Sequence, residues 1–505
     1  MAKSSKVYDF NLSRVKSKIV ATLKRHNRES TVADLVAATA LPKFQVEQAI
    51  KHVASEYQGH LRVTESGEIL YYFPRGMRST ERGFVPRAKR LLGGFLRVTG
   101  KTLAFLFKVW IMVMLVGYFL LFLAILVLAI VTAIAAQFAG RRDSRRSSSG
   151  GGIMGFYLVS RVIQMFLWIW LFSGQGSYKQ PRKQGKPLYK SVFAYVFGEP
   201  SEESLWQDRQ KQYILSFIRG RKGVLTLLEL VVLTGKGSEE AQQTMHRLLI
   251  ELEGEPSVTE AGSLIYLFPE LLRTKPENLQ AAAGLPLLNP ESPPLIPFNG
   301  NTKKANFWIT FLNGFNILFS SYFLYFALTN PAPLFDVVKG AQKLRVDFSF
   351  LYQFLNDWLG RLGAEPSVLL ILIGLGVIPL AFSLFFYLIP FIRGRIDAKK
   401  NERIKEENLR KKVYFHVLGS ADQVYPQEIR PVGEAETPAG VEGFKVRVLD
   451  ELAAATSGEI EKTDNRGFLY RFPEIDRELR DVREYRKSVD LSRFDVGGTV
   501  FDSGD

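Results

Sequence analysis

Three stretches of this chain, 109 to 138, 307 to 328 and 368 to 392, contain no charged residue over 30, 22 and 25 positions. A helix of about 20 apolar residues spans a hydrocarbon core, so each stretch is long enough to cross one. A fourth run, 153 to 172, carries Arg161 in its middle. An arginine there costs about 2.5–3.5 kcal/mol on insertion scales, and the run is read either as a further crossing or as an interfacial segment. The hydrophobic fraction is 47%, ordinary for a soluble protein. What sets the class is therefore the gathering of the apolar residues, not their number.

As one straight helix the first run would be about 45 Å long against a core of about 30 Å. It is expected either to cross as a helix, steeply tilted or bent near Gly117, or to dip in and return as a re-entrant hairpin with 153 to 172 on the cytoplasmic surface. Arg75, Arg78, Arg82, Arg87, Lys89, Arg90, Arg97 and Lys101 precede it, and Arg393, Arg395, Lys399, Lys400, Arg403 and Lys405 follow the last run. The positive-inside rule places both flanks in the cytoplasm, with the connection from 329 to 366 outside. The four arginines of RRDSRRSSSGGG, 141 to 152, oppose a simple two-crossing hairpin, yet both arrangements leave 174 to 303 cytoplasmic. The opening MAKSSKVYDFNLSRVKSKIV is polar and helix-periodic, unlike a signal peptide. A cytoplasmic (inner) membrane is the expected location.

Between the apolar runs one pattern recurs: VTESGEILYYFP at 63 to 74, VTEAGSLIYLFP at 258 to 269 and KTDNRGFLYRFP at 462 to 473. It describes a strand, a glycine turn and a second strand ended by a proline that cannot continue a ladder. Its recurring side chains are Tyr71, Phe73 and Pro74, then Tyr266, Phe268 and Pro269, then Tyr470, Phe472 and Pro473; the rings are assigned to the hairpin core. Helix-periodic stretches precede the hairpin at 15 to 26, 31 to 38 and 42 to 57, and again at 208 to 219, 225 to 234 and 238 to 252, the last capped at Ser238. In the third copy the later helices, near 425 to 429 and 441 to 453, are split by PVGEAETPAG. Three helices followed by a two-stranded wing is the winged-helix arrangement. The fold class expected is an α-helical transmembrane protein with three cytoplasmic α+β winged-helix-like domains.

The expected organisation follows. The modules occupy 1–76, 174–275 and 413–480. A basic segment at 77–103 leads into the membrane region 104–173, and a Pro-rich linker at 276–303 into two transmembrane helices with an external loop, 304–393. A solvated basic stalk, 394–412, and a tail, 481–505, complete the chain. The net charge of +16 suits anionic headgroups or nucleic acid. Arg87, Lys89, Arg90, Lys179, Arg182, Lys183 and Lys186 are the candidate lipid contacts, each worth about 1 kcal/mol near an anionic surface.

For nucleic acid the third helix of the first module offers Lys43, Gln48 and Lys51, whereas the second module's opens with Glu239 and Glu240 and the third's is mixed in charge. A groove-reading helix needs a basic face. Asn313 and Asn316 inside the 307 to 328 run, with Arg161, are the intramembrane polar residues, read as cross-helix hydrogen bonders or as the lining of a path. Gly374 and Gly376 are read as close-packing positions. With no cysteine and five histidines, the chain supplies no thiolate ligand or Cys nucleophile. Phosphate-loop, HExxH and GxSxG patterns are absent. No cofactor, no metal and no enzymatic reaction is expected.

SVFAYVFGEP at 191 to 200, GEPSVTEAGSLIYLFPELLRT at 254 to 274 and YLIPFIRGRIDAKKNERIKEENLRKK at 387 to 412 resemble a family of uncharacterised membrane proteins of cyanobacteria and plant chloroplasts. Some members carry the label iron–sulfur cluster biosynthesis. The resemblance covers about 188 to 412 and implies multi-pass membrane placement with the domains facing a cytoplasm- or stroma-like compartment; it implies no catalytic residue. A cluster held by cysteine thiolates is excluded for a chain without cysteine. The reading reached is a non-enzymatic membrane scaffold that binds lipids and a protein partner or a second copy. The alternatives are a membrane-tethered transcription regulator contacting DNA through the first module, and a transporter or channel.

Overall fold

The structure is a computed structural model that describes residues 8–25, 29–73, 84–139, 186–199, 203–275, 277–279, 293–329, 335–338, 341–344, 348–363, 367–430, 438, 440–463 and 467–504. It is mostly helical, with a few small sheets. The first module comprises α1 (Leu12–Arg25), β1 (Glu29–Ser30), α2 (Val32–Thr39), α3 (Lys43–Tyr57), β2 (His60–Thr64) and β3 (Ile69–Tyr72). Next come α4 (Phe84–Ala139) and α5 (Leu188–Phe197). The second module comprises α6 (Glu203–Gly220), β4 (Val224–Leu225), α7 (Leu227–Thr234), α8 (Ser238–Leu252), β5 (Glu255–Val258), β6 (Leu264–Leu267) and a 3-10 turn, Pro269–Leu272. Then follow α9 (Lys303–Thr329), a hairpin of β7 (Phe335–Val338) and β8 (Ala341–Leu344), α10 (Phe350–Arg361), α11 (Ser367–Leu370), a π-helical segment Ile371–Val377, and α12 (Ile378–Gly419). The third module adds a 3-10 turn, Pro426–Glu428, α13 (Val441–Ala455), β9 (Glu459–Thr463), β10 (Gly467–Arg471) and α14 (Pro473–Ser488); the last strand is β11 (Thr499–Asp502).

The chain divides into two compact units. One gathers Met1–Arg90, Ser201–Ile296 and Ala398–Asp505, the other Leu91–Pro200 and Pro297–Asp397.

In the first unit, modules one and two repeat at a constant step: α2 at 32–39 maps onto α7 at 227–234, and α3 at 43–57 onto α8 at 238–252. The step persists because the local chemistry does. Thr31 and Thr226 each close a capping box, with Asp34 and Glu229 three residues on, satisfying the orphan N–H groups of the helix start. The third helices end in the left-handed region at Gln58, φ 51°, and Glu253, φ 55°, each followed by a glycine. A Cβ on Gly59 or Gly254 would lie 2.6 Å from the ring of Phe73 or Phe268. Gly458 repeats the arrangement in the third module, 3.0 Å from Phe472. In each module, then, a glycine at the end of the third helix makes room for the phenylalanine that ends the wing.

The cores of modules one and two are continuous, running from Ile19, Leu35 and Ile50 through Phe73 to Leu230, Leu233 and Phe268. A second core joins Val231 and Val232 to Leu409, Val413, Phe444 and Phe472. Helix α7, LLELVVLT, is therefore buried on two sides, as expected of a helix apolar all round.

Four expectations need correction here. The cap of α8 is Gly237, with Ser238 the first helical residue. The helix expected near 425 to 429 is one 3-10 turn; the stretch before Pro431 is too short to sustain an α-helix. The basic stalk is solvated only in part: Asn408, Leu409 and Lys411 are buried at its end, and with Val413 and Val417 beyond it the end of α12 serves as the third module's first helix. The tail from 481 continues α14 and then pairs as β11 on β2, extending the first module's sheet to the order β1-β3-β2-β11.

In the second unit, α4 runs as one continuous helix through Gly117, not as a re-entrant hairpin. An unbroken helix satisfies its own backbone, which a turn within hydrocarbon would not. Among the described residues three helices are long and apolar enough to cross a membrane, within Thr102–Thr132, Lys303–Thr329 and Val368–Gly419, and of an 18-residue apolar window in each only 33%, 33% and 22% is buried. So much apolar surface left open marks a surface made for something other than water. The run 153–172 lies outside the described residues. A Cβ on Gly376 would lie 3.1 Å from Leu324 Cα, a close packing; Gly374 has nothing within 4 Å.

Candidate functional site

The most elaborate polar chemistry lies in the two seams that join the repeated modules. In the first, Asp34 Oδ2 accepts the backbone N–H and the hydroxyl of Thr31 at 3.2 and 3.0 Å. Its Oδ1 accepts Arg219 Nη2 at 2.9 Å and the Thr274 hydroxyl at 2.7 Å. One carboxylate thus caps α2 and holds the second module. Beside it is a cavity of about 250 Å³ floored by Val36, Leu252 and Leu271. At its rim Lys43 Nζ lies 2.6 Å from Glu253 and 2.7 Å from Glu270, while Arg273 bridges Glu68 at 2.7 Å and Glu270 at 2.9 Å. Burial acts to lower the Lys43 pKa, but the hydrogen bonds it donates to the Glu253 and Glu270 carboxylates prevail and hold it above its ordinary value.

The second seam repeats the device one module along. Glu229 Oε2 caps Thr226 N–H at 3.1 Å and accepts Arg486 Nη2 at 2.6 Å; the same guanidinium nitrogen donates to Val224 O at 3.0 Å. Thr259 donates its hydroxyl to Asp481, and Val482 packs on Val224 and Ile265. Within this seam burial, with Glu229 and Asp481 nearby, pushes the Glu478 carboxyl up to about 7.

An acid whose folded pKa exceeds its unfolded value near 4.5 contributes stability that is complete below the unfolded value and lost as pH rises through the folded one. Discounted for partial exposure, the contribution is about 1–2 kcal/mol. Thermal unfolding of the intact chain should therefore show stability falling between pH 4.5 and 7.5. Glu478→Gln should abolish most of that slope and raise stability at pH 8; an unchanged slope would assign the dependence to other groups.

The six wing rings Tyr71, Phe73, Tyr266, Phe268, Tyr470 and Phe472 are all buried in the cores. Pro269 and Pro473 begin the helical turns that follow the wings, positions where the missing N–H costs nothing; Pro74 lies outside the described residues. Lys43, Gln48 and Lys51 do not converge: Lys43 is in the seam, Gln48 half-buried and Lys51 exposed. Arg87, Lys89 and Arg90 fall in the first turns of α4, whereas Arg161, Lys179, Arg182 and Lys183 lie outside the described residues. Lys186 pairs with Glu199 and donates to Gly300 O at 3.0 Å.

Asn313 donates to Ser383 O at 3.0 Å and Asn316 to Leu115 O at 2.8 Å. Both bonds tie α9 to another long helix, which is the helix-association reading of these amides. Among the described residues no three acidic or histidine side chains converge as a metal-holding group.

The seam residues Asp34, Arg219, Glu229, Arg486 and Glu478 were not among the expected sites. The available signal was Thr-x-x-Asp at 31 and Thr-x-x-Glu at 226, each the same distance ahead of its wing. The arginine partners carry no local signal.

No protein-family pattern and no solved structure matches the chain. It is similar to an uncharacterised chloroplastic protein of Arabidopsis thaliana, 22% identical over 424 residues that cover 81% of this chain and 73% of that protein. The likeness agrees with the plant-chloroplast side of the family resemblance; that relative's name says nothing of iron–sulfur chemistry.

Proposed function

We propose that the chain is a non-enzymatic, multi-pass membrane protein that carries three winged-helix-like modules as a protein-assembly platform facing the cytoplasm or stroma. The observation that carries this reading is the joining of the modules to one another. Capping carboxylates Asp34 and Glu229 reach the arginines Arg219 and Arg486 across successive seams, and α7 is buried between two cores. Modules built to contact modules of their own kind are suited to contacting further proteins, or a second copy. The exposed apolar faces of the three long helices, as at Trp110, Leu318 and Phe385, suit contact with lipid.

The regulator alternative is weakened because Lys43, which a groove-reading helix would turn toward phosphate, is held by Glu253 and Glu270. The channel alternative is weakened because Asn313 and Asn316 each commit an amide N–H to a backbone carbonyl of a neighbouring long helix. Affinity capture of the full chain from gently solubilised membranes should return a stoichiometric partner or a homo-oligomer. A clean monomer with nothing bound would remove the platform reading.

A further inference from the structure

The outer edge of β2 is equipped to receive a strand in a way that the edges of the other two wings are not. Strand β11 lies antiparallel on it, with Thr499 opposite Thr64, Phe501 opposite Val63 and Asp502 opposite Arg62. Ser503 N–H donates to Leu61 O at 3.0 Å, and Leu61 N–H donates to Ser503 Oγ at 2.8 Å. Glu65 N–H donates to Gly498 O at 3.0 Å. Arg62 Nε lies 2.6 Å from Asp502 Oδ2, and His60 Nδ1 lies 3.6 Å from Oδ1 of the same carboxylate. Gly497 takes the left-handed backbone at φ 70° beside this edge, a conformation that favours glycine, and a Cβ there would sit 2.8 Å from the Glu65 carboxylate.

The step that relates the modules makes the contrast sharp. At the places of His60, Leu61 and Arg62 the second wing has Glu255, Pro256 and Ser257. Pro256 has no N–H to offer an incoming strand, and the acid would repel the carboxylate that His60 and Arg62 attract. The third wing has Glu459, Ile460 and Glu461 there, two acids on the edge. Charges and proline are the usual means of keeping an edge closed; the first wing's edge has no proline and no acid, and its own charge, on Arg62, is the one that pairs with the incoming Asp502. The bound segment contributes little apolar burial, since Val500 and Phe501 are 70% and 60% exposed. It is held by main-chain bonds, close glycine approach and one carboxylate, the elements of recognition by strand addition.

We propose that the β2 edge is a peptide-recognition site for an extended acidic segment of the form Gly-Gly-Thr-Val-Phe-Asp-Ser, that residues 497 to 503 are its tethered ligand, and that the same segment of a second copy occupies it in trans. The assignment is independent of the platform reading, because it is measured by peptide binding rather than by captured partners. A tethered ligand acts at a high effective concentration, so the intact chain holds its own site closed.

The test uses the full chain shortened after Val496, whose side chain is fully buried and stays in place, and a fluorescent peptide with the sequence of residues 497 to 505. Saturable binding to the shortened chain is expected, at least tenfold weaker after Arg62→Gln or with Asp502→Asn in the peptide, and at least tenfold weaker to the intact chain. Absence of binding to a shortened chain that keeps the intact protein's unfolding profile, or equal binding of a scrambled peptide, would overturn the proposal. Should the shortened chain not fold, hydrogen exchange in the intact chain decides. Arg62→Gln should speed exchange of the Ser503 amide at least tenfold without changing amides in β6, and unaltered exchange would equally sink the idea.

Discussion

Replacing Gly235 with Ala should cost the intact chain about 2–4 kcal/mol of stability, although one added methyl is the smallest change a glycine can undergo. Gly235 ends α7 at φ 72°, and a Cβ there would sit 2.2 Å from Glu407 O and 2.7 Å from its carbonyl carbon. Those are backbone atoms inside α12, so no rotamer change relieves the contact. The first module supplies its own control. Ala40 occupies the corresponding place at the end of α2, in the same left-handed region at φ 56°. The left-handed conformation alone therefore tolerates alanine in this fold, and Ala40→Gly should change stability by less than about 1 kcal/mol in either direction. The comparison separates backbone preference from the packing of α12 on the second module. Denaturant unfolding in detergent should show a Gly235→Ala loss larger than the Ala40→Gly change by more than the backbone term accounts for; changes of similar size would mean that α12 yields to the methyl and that its packing on α7 is loose.

The same pair of residues shows what the sequence makes legible. The wings are readable because their determinants are local: alternation, a glycine at the turn, and a proline at the end. The second helices are readable from Thr31 and Thr226 with an acid three residues later. The first helix of the third module is not, because its buried face begins at Leu409, inside a strongly charged run whose composition describes a solvated stalk, before it continues through Val413 and Val417. Strand β11 is illegible for a different reason: its determinants, Arg62 and His60, lie more than 400 residues away in the chain, as the Arg62–Asp502 bond records. A four-residue strand carries too little periodicity to announce itself. The seam arginines fail for the same cause, since a buried ion pair is a property of two distant positions, and neither alone differs from a surface charge.

Asp34 tests whether the seam is an energetic joint or an incidental contact. Arg219 has a side chain only 8% exposed, and Asp34 is the carboxylate that neutralises it while capping α2. Asp34→Ala should lower stability by about 3–5 kcal/mol, because removing one partner strands a buried charge, with about 1 kcal/mol more from the lost acceptor of the Thr31 N–H; Thr31 itself still caps the residue 34 N–H. Arg219 Nε keeps its bond to Leu271 O at 2.8 Å, which satisfies one donor but not the charge. Asp34→Asn preserves an acceptor for the helix start and should fall between the wild type and the alanine variant. If the penalty is the stranded charge, then Asp34→Ala combined with Arg219→Met should recover most of it and remain within about 2 kcal/mol of the wild type, since well-packed apolar replacements of buried ion pairs are often close to neutral. Additive losses in the double variant would instead assign the effect to the cap and to the Thr274 hydroxyl, which donates to the same oxygen. In that case the first and second modules would be joined by their shared apolar core and by the rim ion pairs of Lys43 and Arg273.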